Sequence, residues 1–174
     1  MNWELLDKNF KISVIRIVRD HFGTIVHAQT GKAGPADYVA FLILPMLLSI
    51  LFVSIGFDVN GDSIETIVGS LAIFVGLLFN ALVILIDVAR KADKDDTMRK
   101  EIIREITANI SFSIFLSFVT IFIMLLGFLP DKTTPNWASV AINIVSFFLL
   151  AEFMMIFLMV LKRTYLIFDT ELAS

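Results

Sequence analysis

The sequence predicts an all-α integral membrane protein: a four-helix bundle made of two hairpins, with a cytoplasmic helical stem and an N-terminal amphipathic helix. Three observations lead to this fold class. Of the 174 residues, 57% are hydrophobic and 18% are charged, and the mean hydropathy is +0.85. Soluble domains typically have about 45–50% apolar residues and about 25% charged residues. The apolar residues form four runs of membrane-crossing length. Finally, 13 of the 14 lysines and arginines belong to segments that alternating spans would place on one side.

Composition also excludes several classes of protein. The chain has no cysteine, which excludes a small secreted domain stapled by disulfides. Its net charge is −3 and its pI is about 5.3, so direct nucleic-acid binding driven by charge is not expected. The high apolar fraction excludes a disordered chain, except at its ends.

The first segment, residues 1–34, is predicted to be cytoplasmic and to contain an amphipathic helix from Trp3 to about Phe22. Its basic side chains lie elsewhere on the helical wheel from its apolar ones, which favours a helix at an apolar–polar boundary. Two arrangements fit: the helix lies on the inner membrane surface, or it packs on the protein's own stem. A short strand within 11–19 is a lesser alternative. The apolar residues at mostly helical spacing are Trp3, Leu6, Phe10, Val14, Ile17 and Val18.

The next segment, residues 35–161, is predicted to be a transmembrane domain. Each apolar run has about 20–25 residues, enough to cross a hydrocarbon core of about 30 Å at 1.5 Å per residue. Backbone groups inside a bilayer must bond internally, which makes helices the expected form. Pro45 lies inside the first run and predicts a kink or a loosened turn. The expected spans are about 38–57, 64–86, 106–129 and 137–161.

The basic residues predict the orientation of these spans. Five lie before the first span, six between the second and third, and two after the fourth, whereas the outer loops carry only Lys132. The positive-inside rule therefore places both termini and the central connection in the cytoplasm. The polar segment before the first span has no short apolar core, so no signal peptide is expected.

The central connection, residues 87–105, is predicted to be a cytoplasmic stem, and residues 162–174 a cytoplasmic tail. The sequence Asp95-Asp96-Thr97 predicts a helix break and restart, after which an apolar stripe continues into the third span. The stem has six basic and six acidic residues, so it does not have the charge of a polybasic lipid-binding segment. Its stripe needs a partner within the chain, in a second copy or in another protein. The candidate docking residues are Arg90, Lys91, Lys94, Arg99, Lys100 and Arg104.

A layer of polar side chains is predicted near the middle of the membrane. Glu152 precedes Lys162 by ten residues, which puts it about 15 Å from the inner end of the fourth span. One interpretation is a protonated, hydrogen-bonded carboxyl that packs helices together. The other is an ion site, a proton site or a gate. At matching depths on the four spans, the layer consists of Ser49, Asn80, Ser113 or Ser117, and Glu152.

The second span also carries small and polar residues on one face. These residues fall within about 60° of one another on a helical wheel. Small residues permit close helix packing, which is one interpretation; a pore lining in an oligomer is the other. The residues are Gly69, Ala72, Gly76, Asn80 and Asp87. The third span has a similar face, made of Asn109, Ser113, Thr120 and Gly127.

No enzymatic chemistry is predicted from the sequence. His21 and His27 have no zinc-type spacing to other ligands, and there is no phosphate-binding glycine loop or nucleophile elbow. We therefore expect no catalytic residue, no bound metal and no cofactor.

The chain resembles the small four-span membrane components of bacterial anti-phage defence systems, such as the membrane subunit of the Kiwa system. The likeness covers the general layout and two patches: Arg104-Glu105 followed by Asn109-Ile110-Ser111-Phe112, and Leu161-Lys162-Arg163. The resemblance implies a bacterial inner-membrane location. It also implies either an oligomeric sensor or scaffold that docks a cytoplasmic partner, or an effector that perturbs the membrane. The first is the leading hypothesis; a pore-forming effector or ion channel and a small transporter are the alternatives.

Overall fold

The computed structural model describes residues 14–25, 39–59, 62–91, 97–127 and 136–172. Almost all of these residues are helical, and none of them forms a strand, which confirms the all-α prediction for this part of the chain. A short π-helical turn, Val39–Ile43, comes between the first two helices. In chain order the helices are α1 (Val14–Ile25), α2 (Leu44–Ser54), α3 (Asp62–Lys91), α4 (Thr97–Gly127) and α5 (Asn136–Leu172).

Three helices are long and apolar enough to cross a membrane. Their apolar portions are Ser63–Arg90, Lys100–Gly127 and Trp137–Tyr165, with 28, 28 and 29 residues. At 1.5 Å per residue each rises roughly 40 Å, which exceeds the hydrocarbon thickness of about 30 Å. The structure therefore supports a membrane protein with three helices of crossing length.

The first predicted span is shorter than the other three. Its helix α2 has 11 residues and rises only about 16 Å. Pro45 lies in the first turn of α2 and has no N–H to donate to the carbonyl of Phe41. The chain before it forms the five-residue π-helical turn, which matches the predicted loosening around Pro45. The fourth crossing itself stays a prediction.

The end of α2 is a glycine C-cap with a Schellman hydrogen-bond pattern. Gly56 has a φ of 90°, a conformation that favours glycine. The N–H of Phe57 donates to the carbonyl of Phe52 at 3.0 Å, and the N–H of Gly56 donates to that of Val53 at 3.1 Å. The rings of Phe52 and Phe57 meet at 5.5 Å, which is the apolar contact that accompanies this motif. The chain therefore turns at Gly56 and Phe57.

Asn143 of α5 holds the turn that follows α2. Its Nδ2 donates to Asp58 Oδ1 at 2.6 Å, and its Oδ1 accepts from the backbone N–H of Val59 at 3.4 Å. Val59 is buried and packs with Ile64 and Met124 in a small apolar cluster. The start of α5 thus fixes the turn between α2 and α3.

Helix α4 is the centre of the bundle, because α1, α3 and α5 all pack against it, while α2 packs on α5. Phe74 of α3 also reaches α5, with ring contacts to Phe153 at 5.9 Å and Phe157 at 5.4 Å. The fully buried members of the main apolar core include Ile106, Ile110, Phe153 and Ile156.

The N-terminal helix packs on the protein's own helices. The sequence allows this helix either to lie on the inner membrane surface or to pack on the protein's own stem. In the structure its inner face contacts α4, which begins in the stem. The described helix begins at Val14, and residues 3–13 of the predicted helix lie outside the described residues. The strand alternative does not hold for 14–19, which are helical. On its outer face Ile15 and Phe22 are each 58% exposed.

The helices of the predicted stem extend beyond the predicted spans. Helix α3 ends at Lys91, and α4 begins at Thr97, where the predicted restart lies. Residues 92–96, which include Lys94 and the Asp95-Asp96 pair, lie outside the described residues. Helix α5 continues without a break through the predicted tail to Leu172. We call the end of the bundle that carries Arg90, Lys100, Arg104 and Lys162 the basic end.

Candidate functional site

A group of buried and half-buried polar side chains joins α1 to α4 and α5 at the basic end; we call it the polar node. Its members are His21 and Thr24 of α1, Glu105 and Asn109 of α4, and Arg163 of α5. His21 Nδ1 lies 2.8 Å from Asn109 Oδ1, and Thr24 Oγ1 lies 2.7 Å from the same oxygen. His21, Thr24 and Asn109 are all buried. Because buried polar groups need partners, these bonds determine which face of α1 points toward α4.

The hydrogen bonds of the node determine how the Asn109 amide is best oriented. Thr24 has one hydroxyl proton but two acceptors at 2.7 Å, His21 O and Asn109 Oδ1. In this orientation Asn109 Nδ2 has no acceptor among the described residues. A half-turn of the amide lets Nδ2 donate to both His21 Nδ1 and Thr24 Oγ1, while Thr24 donates to His21 O. We assign that exchanged orientation, because both Nδ2 protons and the Thr24 hydroxyl proton then have acceptors, whereas the amide oxygen of Asn109 has no described partner.

Arg163 closes the node from α5. Its Nη2 donates to the backbone carbonyl of Thr24 at 2.7 Å, and its Nη1 lies 2.9 Å from Glu105 Oε2. The second contact is an ion pair at close range whose N–H is not aligned as a hydrogen bond. The two side chains are 18% and 29% exposed. One guanidinium therefore ties α5 to both α1 and α4.

His21 lies in an environment that favours the neutral imidazole. Its ring stacks on Phe112 with a centroid distance of 4.0 Å and an angle of 7°. Burial lowers the pKa of His21 below its usual value, and the nearby positive charge of Arg163 lowers that pKa further. In the assigned orientation Asn109 donates to His21 Nδ1, and this bond also favours the neutral ring. Removing the ring from water makes the charged form costly, so the node holds an uncharged His21 at neutral pH.

Next to the node, a groove with a volume of about 620 Å³ lies between α1, α3 and α4. We call it the basic groove. Three predicted docking residues, Arg90, Lys100 and Arg104, line it together with Arg16 of α1. Lys91 and Arg99 belong to α3 and α4 by their backbones, and Lys94 lies outside the described residues. The structure thus brings part of the predicted docking set together, and adds an arginine from the N-terminal helix.

The predicted polar layer is divided between buried and exposed positions. Ser49, Ser113 and Ser117 are fully buried, Glu152 is half-buried, and Asn80 is exposed. The serine hydroxyls bond within their own helices: Ser49 donates to Met46 O and Ser117 donates to Ser113 O, both at 2.8 Å. The hydrogen bonds of the described residues therefore connect no two spans through this layer.

The predicted face of the second span is exposed in the part of the chain that the structure describes. Gly69, Ala72, Gly76, Asn80 and Asp87 are all exposed. A Cβ atom added at Gly69 or Gly76 would meet no atom within 4 Å. None of the described helices therefore packs closely against these two glycines. The similar face of α4 is the one that packs, since Asn109, Ser113 and Thr120 are fully buried.

Sequence reasoning missed the polar node. The absence of zinc-type spacing around the two histidines says nothing about hydrogen bonding, although His21 and Thr24 are three residues apart and so share a helix face. That spacing, opposite an asparagine in an apolar span, was the available signal. Among the residues that the structure describes, no group of three or more His, Asp or Glu side chains could hold a metal ion.

Comparisons with protein-family models, with curated proteins and with solved structures find no match to this chain.

Proposed function

We propose that this protein is an oligomeric scaffold or sensor of a bacterial inner membrane, which docks a cytoplasmic partner protein at its basic end. The resemblance to small membrane components of anti-phage defence systems suggests defence as its setting. The observation that carries the proposal is the polar node, because it holds the N-terminal helix in a fixed position on two crossing-length helices. A fixed surface outside the membrane is what a docking protein requires, and no catalytic group is needed.

The outer face of α1 is the proposed docking surface. Ile15 and Phe22 are large apolar side chains more than half exposed, and the Arg19 side chain between them is 66% exposed. Aromatic and arginine side chains are enriched among the residues that dominate protein interfaces. We therefore expect the partner to offer an apolar pocket for Phe22 and a carboxylate for Arg19.

Charge reversal on α1 tests this proposal. The full chain is crosslinked in its native cells and purified, and the co-purifying proteins are identified by mass spectrometry. Arg19→Glu combined with Phe22→Ala should remove the partner and leave membrane insertion unchanged. The control is Glu65→Lys, a charge reversal at an exposed position near the start of α3, which should keep the partner. A double variant that inserts normally and retains its partner would contradict the proposal.

A pore or channel formed by several copies is the second candidate function, and the exposed face of α3 favours it. Asn80 is exposed in the middle of a helix of crossing length, and an amide facing hydrocarbon is costly. A second copy or a water-filled path would satisfy that amide. Glu152, half-buried on α5, is a further candidate for such a path.

Ion flux from liposomes separates this candidate from a scaffold. If a pore runs along α3, Asn80→Leu should change the flux, whereas Phe79→Leu, at the exposed neighbouring position, should not. The mass of the protein in mild detergent provides an independent check, since a monomer would contradict both the pore and the oligomeric scaffold.

A further inference from the structure

We propose that the basic groove binds the headgroup of an anionic phospholipid from the cytoplasmic leaflet. The proposal goes beyond the docking of a protein partner and does not depend on it, because the groove and the exposed face of α1 are different surfaces.

The first support is charge. Four basic side chains from three helices line the groove: Arg16, Arg90, Lys100 and Arg104. Asp20 is the acidic residue among the lining residues, and it already lies 3.7 Å from Arg16 Nε and 3.8 Å from Arg19 Nε. Lys100 is engaged in another interaction of the fold and the charge of Arg16 is balanced by Asp20, so Arg90 and Arg104 supply the net positive charge of the groove. A phosphate group complements guanidinium groups in both charge and geometry.

The second support is the way folding separates the charges of the stem. Along the sequence, its acidic residues balance its basic ones, so the stem does not have the charge of a polybasic lipid-binding segment. In the structure, Glu105 instead binds Arg163 in the polar node, while Arg104, its neighbour in sequence, lines the groove. A segment that is neutral overall thus presents a basic surface on one side.

The third support is a change in polarity along the groove. On α4 the lining runs from Lys100 to Ser111, a rise of about 16 Å. The basic groups lie toward the helix ends at Arg90 and Lys100. The deeper walls consist mainly of apolar side chains, and they also carry two hydroxyl groups. The residues of these walls are Leu85, Ile86, Ala108, Thr107 and Ser111. A soluble anion would bind only the basic groups and would make no favourable contact with apolar walls below them, so it does not explain those walls. A phospholipid explains both parts of the groove, because its phosphate can bind the basic groups while its acyl chains contact the apolar walls below.

The fourth support is the depth of the groove in the predicted membrane. The apolar portions of α3 and α4 end at Arg90 and begin at Lys100, so the basic groups lie where the hydrocarbon core gives way to headgroups. Basic pockets between helices on the cytoplasmic side are known positions for anionic headgroups.

Lipid retention by the purified full chain tests the proposal. The protein in detergent is mixed with dioleoyl phosphatidylglycerol or with dioleoyl phosphatidylcholine, and bound lipid is counted by native mass spectrometry. We expect one phosphatidylglycerol per chain, held about tenfold more tightly than phosphatidylcholine, a difference of about 1.4 kcal/mol. Equal retention of the two lipids would overturn the proposal.

Two double variants and one control locate the site. Arg90→Gln with Arg104→Gln should reduce phosphatidylglycerol retention to the phosphatidylcholine level. Arg90→Lys with Arg104→Lys keeps the charge and should retain the lipid, which shows that loss in the first variant is not misfolding. The control Lys162→Gln removes an exposed charge outside the groove and should change nothing. Full retention in the glutamine variant, or equal loss in the control, would refute the assignment.

Competition distinguishes a lipid from other anions. Inorganic phosphate and glycerol 3-phosphate at millimolar concentration should leave the bound phosphatidylglycerol in place. Displacement by either would show a site for a soluble anion, and displacement by polyglutamate would show a site for an acidic protein segment; each result would overturn the lipid assignment. Because Arg19→Glu combined with Phe22→Ala should lose the protein partner but keep the lipid, failure of one proposal leaves the other measurable.

Discussion

His21 and Asn109 meet in the polar node although 88 positions separate them in the chain. The node places a neutral imidazole, a hydroxyl and an amide in a buried site beside an arginine. At the scale of single residues, this arrangement couples the position of α1 to the protonation of His21.

The first prediction concerns pH. Burial lowers the pKa of His21 in the folded protein below the usual 6.5. The contribution of the node is therefore complete above about pH 6.5, and it is lost as the pH falls from there toward the lowered pKa, because the undocked helix binds the proton more readily. Acidification should release α1. Spin labels at Arg19→Cys and Lys162→Cys report this release as a longer and broader distance distribution.

Two histidine variants provide the control for this measurement. His21→Gln removes the titrating group, so its distance distribution should not depend on pH in this range. His27→Gln, which alters the chain's other histidine, should behave as the unchanged protein does. If His21→Gln still responds to acid, another group is responsible for the release.

The second prediction concerns the guanidinium of Arg163. Arg163→Gln removes both the ion pair with Glu105 and the charged hydrogen bond to Thr24 O. Hydrogen bonds to charged groups contribute about 1.5–3 kcal/mol, so the free energy of unfolding should fall by about 2 kcal/mol. The adjacent Lys162 is exposed, and Lys162→Gln should change stability little. Unfolding curves in detergent compare the two variants; equal effects would contradict the role of the node.

At the scale of the helices, two similar faces have opposite fates. Both α3 and α4 carry small and polar residues at helical spacing, and periodicity predicts a packed face on each. The face of α4 is central because α1, α3 and α5 all contact that helix, whereas the face of α3 is exposed. Which of the two faces is buried depends on how the helices pack together, and the residue pattern of one helix alone does not predict that packing.

Glycine substitutions test this difference, which is the third prediction. A Cβ at Gly127 would lie 2.9 Å from Ile142 Cγ2, so Gly127→Ala should cost about 1–3 kcal/mol by overpacking. At Gly69 no atom lies within 4 Å of the added carbon, and Gly69→Ala should stabilise the helix by about 0.5–1 kcal/mol. Unfolding is measured in a detergent strong enough to dissociate any oligomer, where the free energy of unfolding should fall for Gly127→Ala and rise for Gly69→Ala. A destabilised Gly69→Ala monomer would contradict the exposed position of the α3 face.

The helices themselves were largely predictable from the sequence, and the site was not. Length and apolarity fix the three long helices, Thr97 marks a helix restart, and Gly56-Phe57 marks a turn. The short α2 depended on how the chain adapts around Pro45, which propensity does not determine. The polar node joins residues of three distant segments, and the basic groove requires Glu105 and Arg104 to face different neighbours. Such contacts are properties of the packed bundle.

At the scale of the whole molecule, the chain must pass from one end of the bundle to the other before α3 begins. Thr24 binds Arg163 and Asp58 binds Asn143; these two α5 residues are 20 positions apart, a rise of about 30 Å. The segment between Thr24 and Asp58 covers that distance. We therefore expect a fourth crossing there, although α2 supplies only part of its length as α-helix.

Cysteine labelling tests this topology, which is the fourth prediction. The chain has no native cysteine, so single-cysteine variants have no background. A membrane-impermeant maleimide added to intact spheroplasts should label Ser63→Cys, and should label Arg19→Cys and Lys162→Cys only after permeabilisation. External labelling of Arg19→Cys would place the N-terminal helix outside and contradict four crossings.

The polar node also has a consequence for the order in which the protein is made. Thr24 forms one hydrogen bond with Asn109, 85 positions later in the chain, and another with Arg163, 139 positions later. Helix α1 is synthesised before the helices that it contacts, and Arg163, the last of its partners in the node, is made only with α5. Until α5 is made, the carbonyl of Thr24 lacks the guanidinium that it binds in the finished bundle. The contacts of α1 are therefore complete only when the whole bundle has been made.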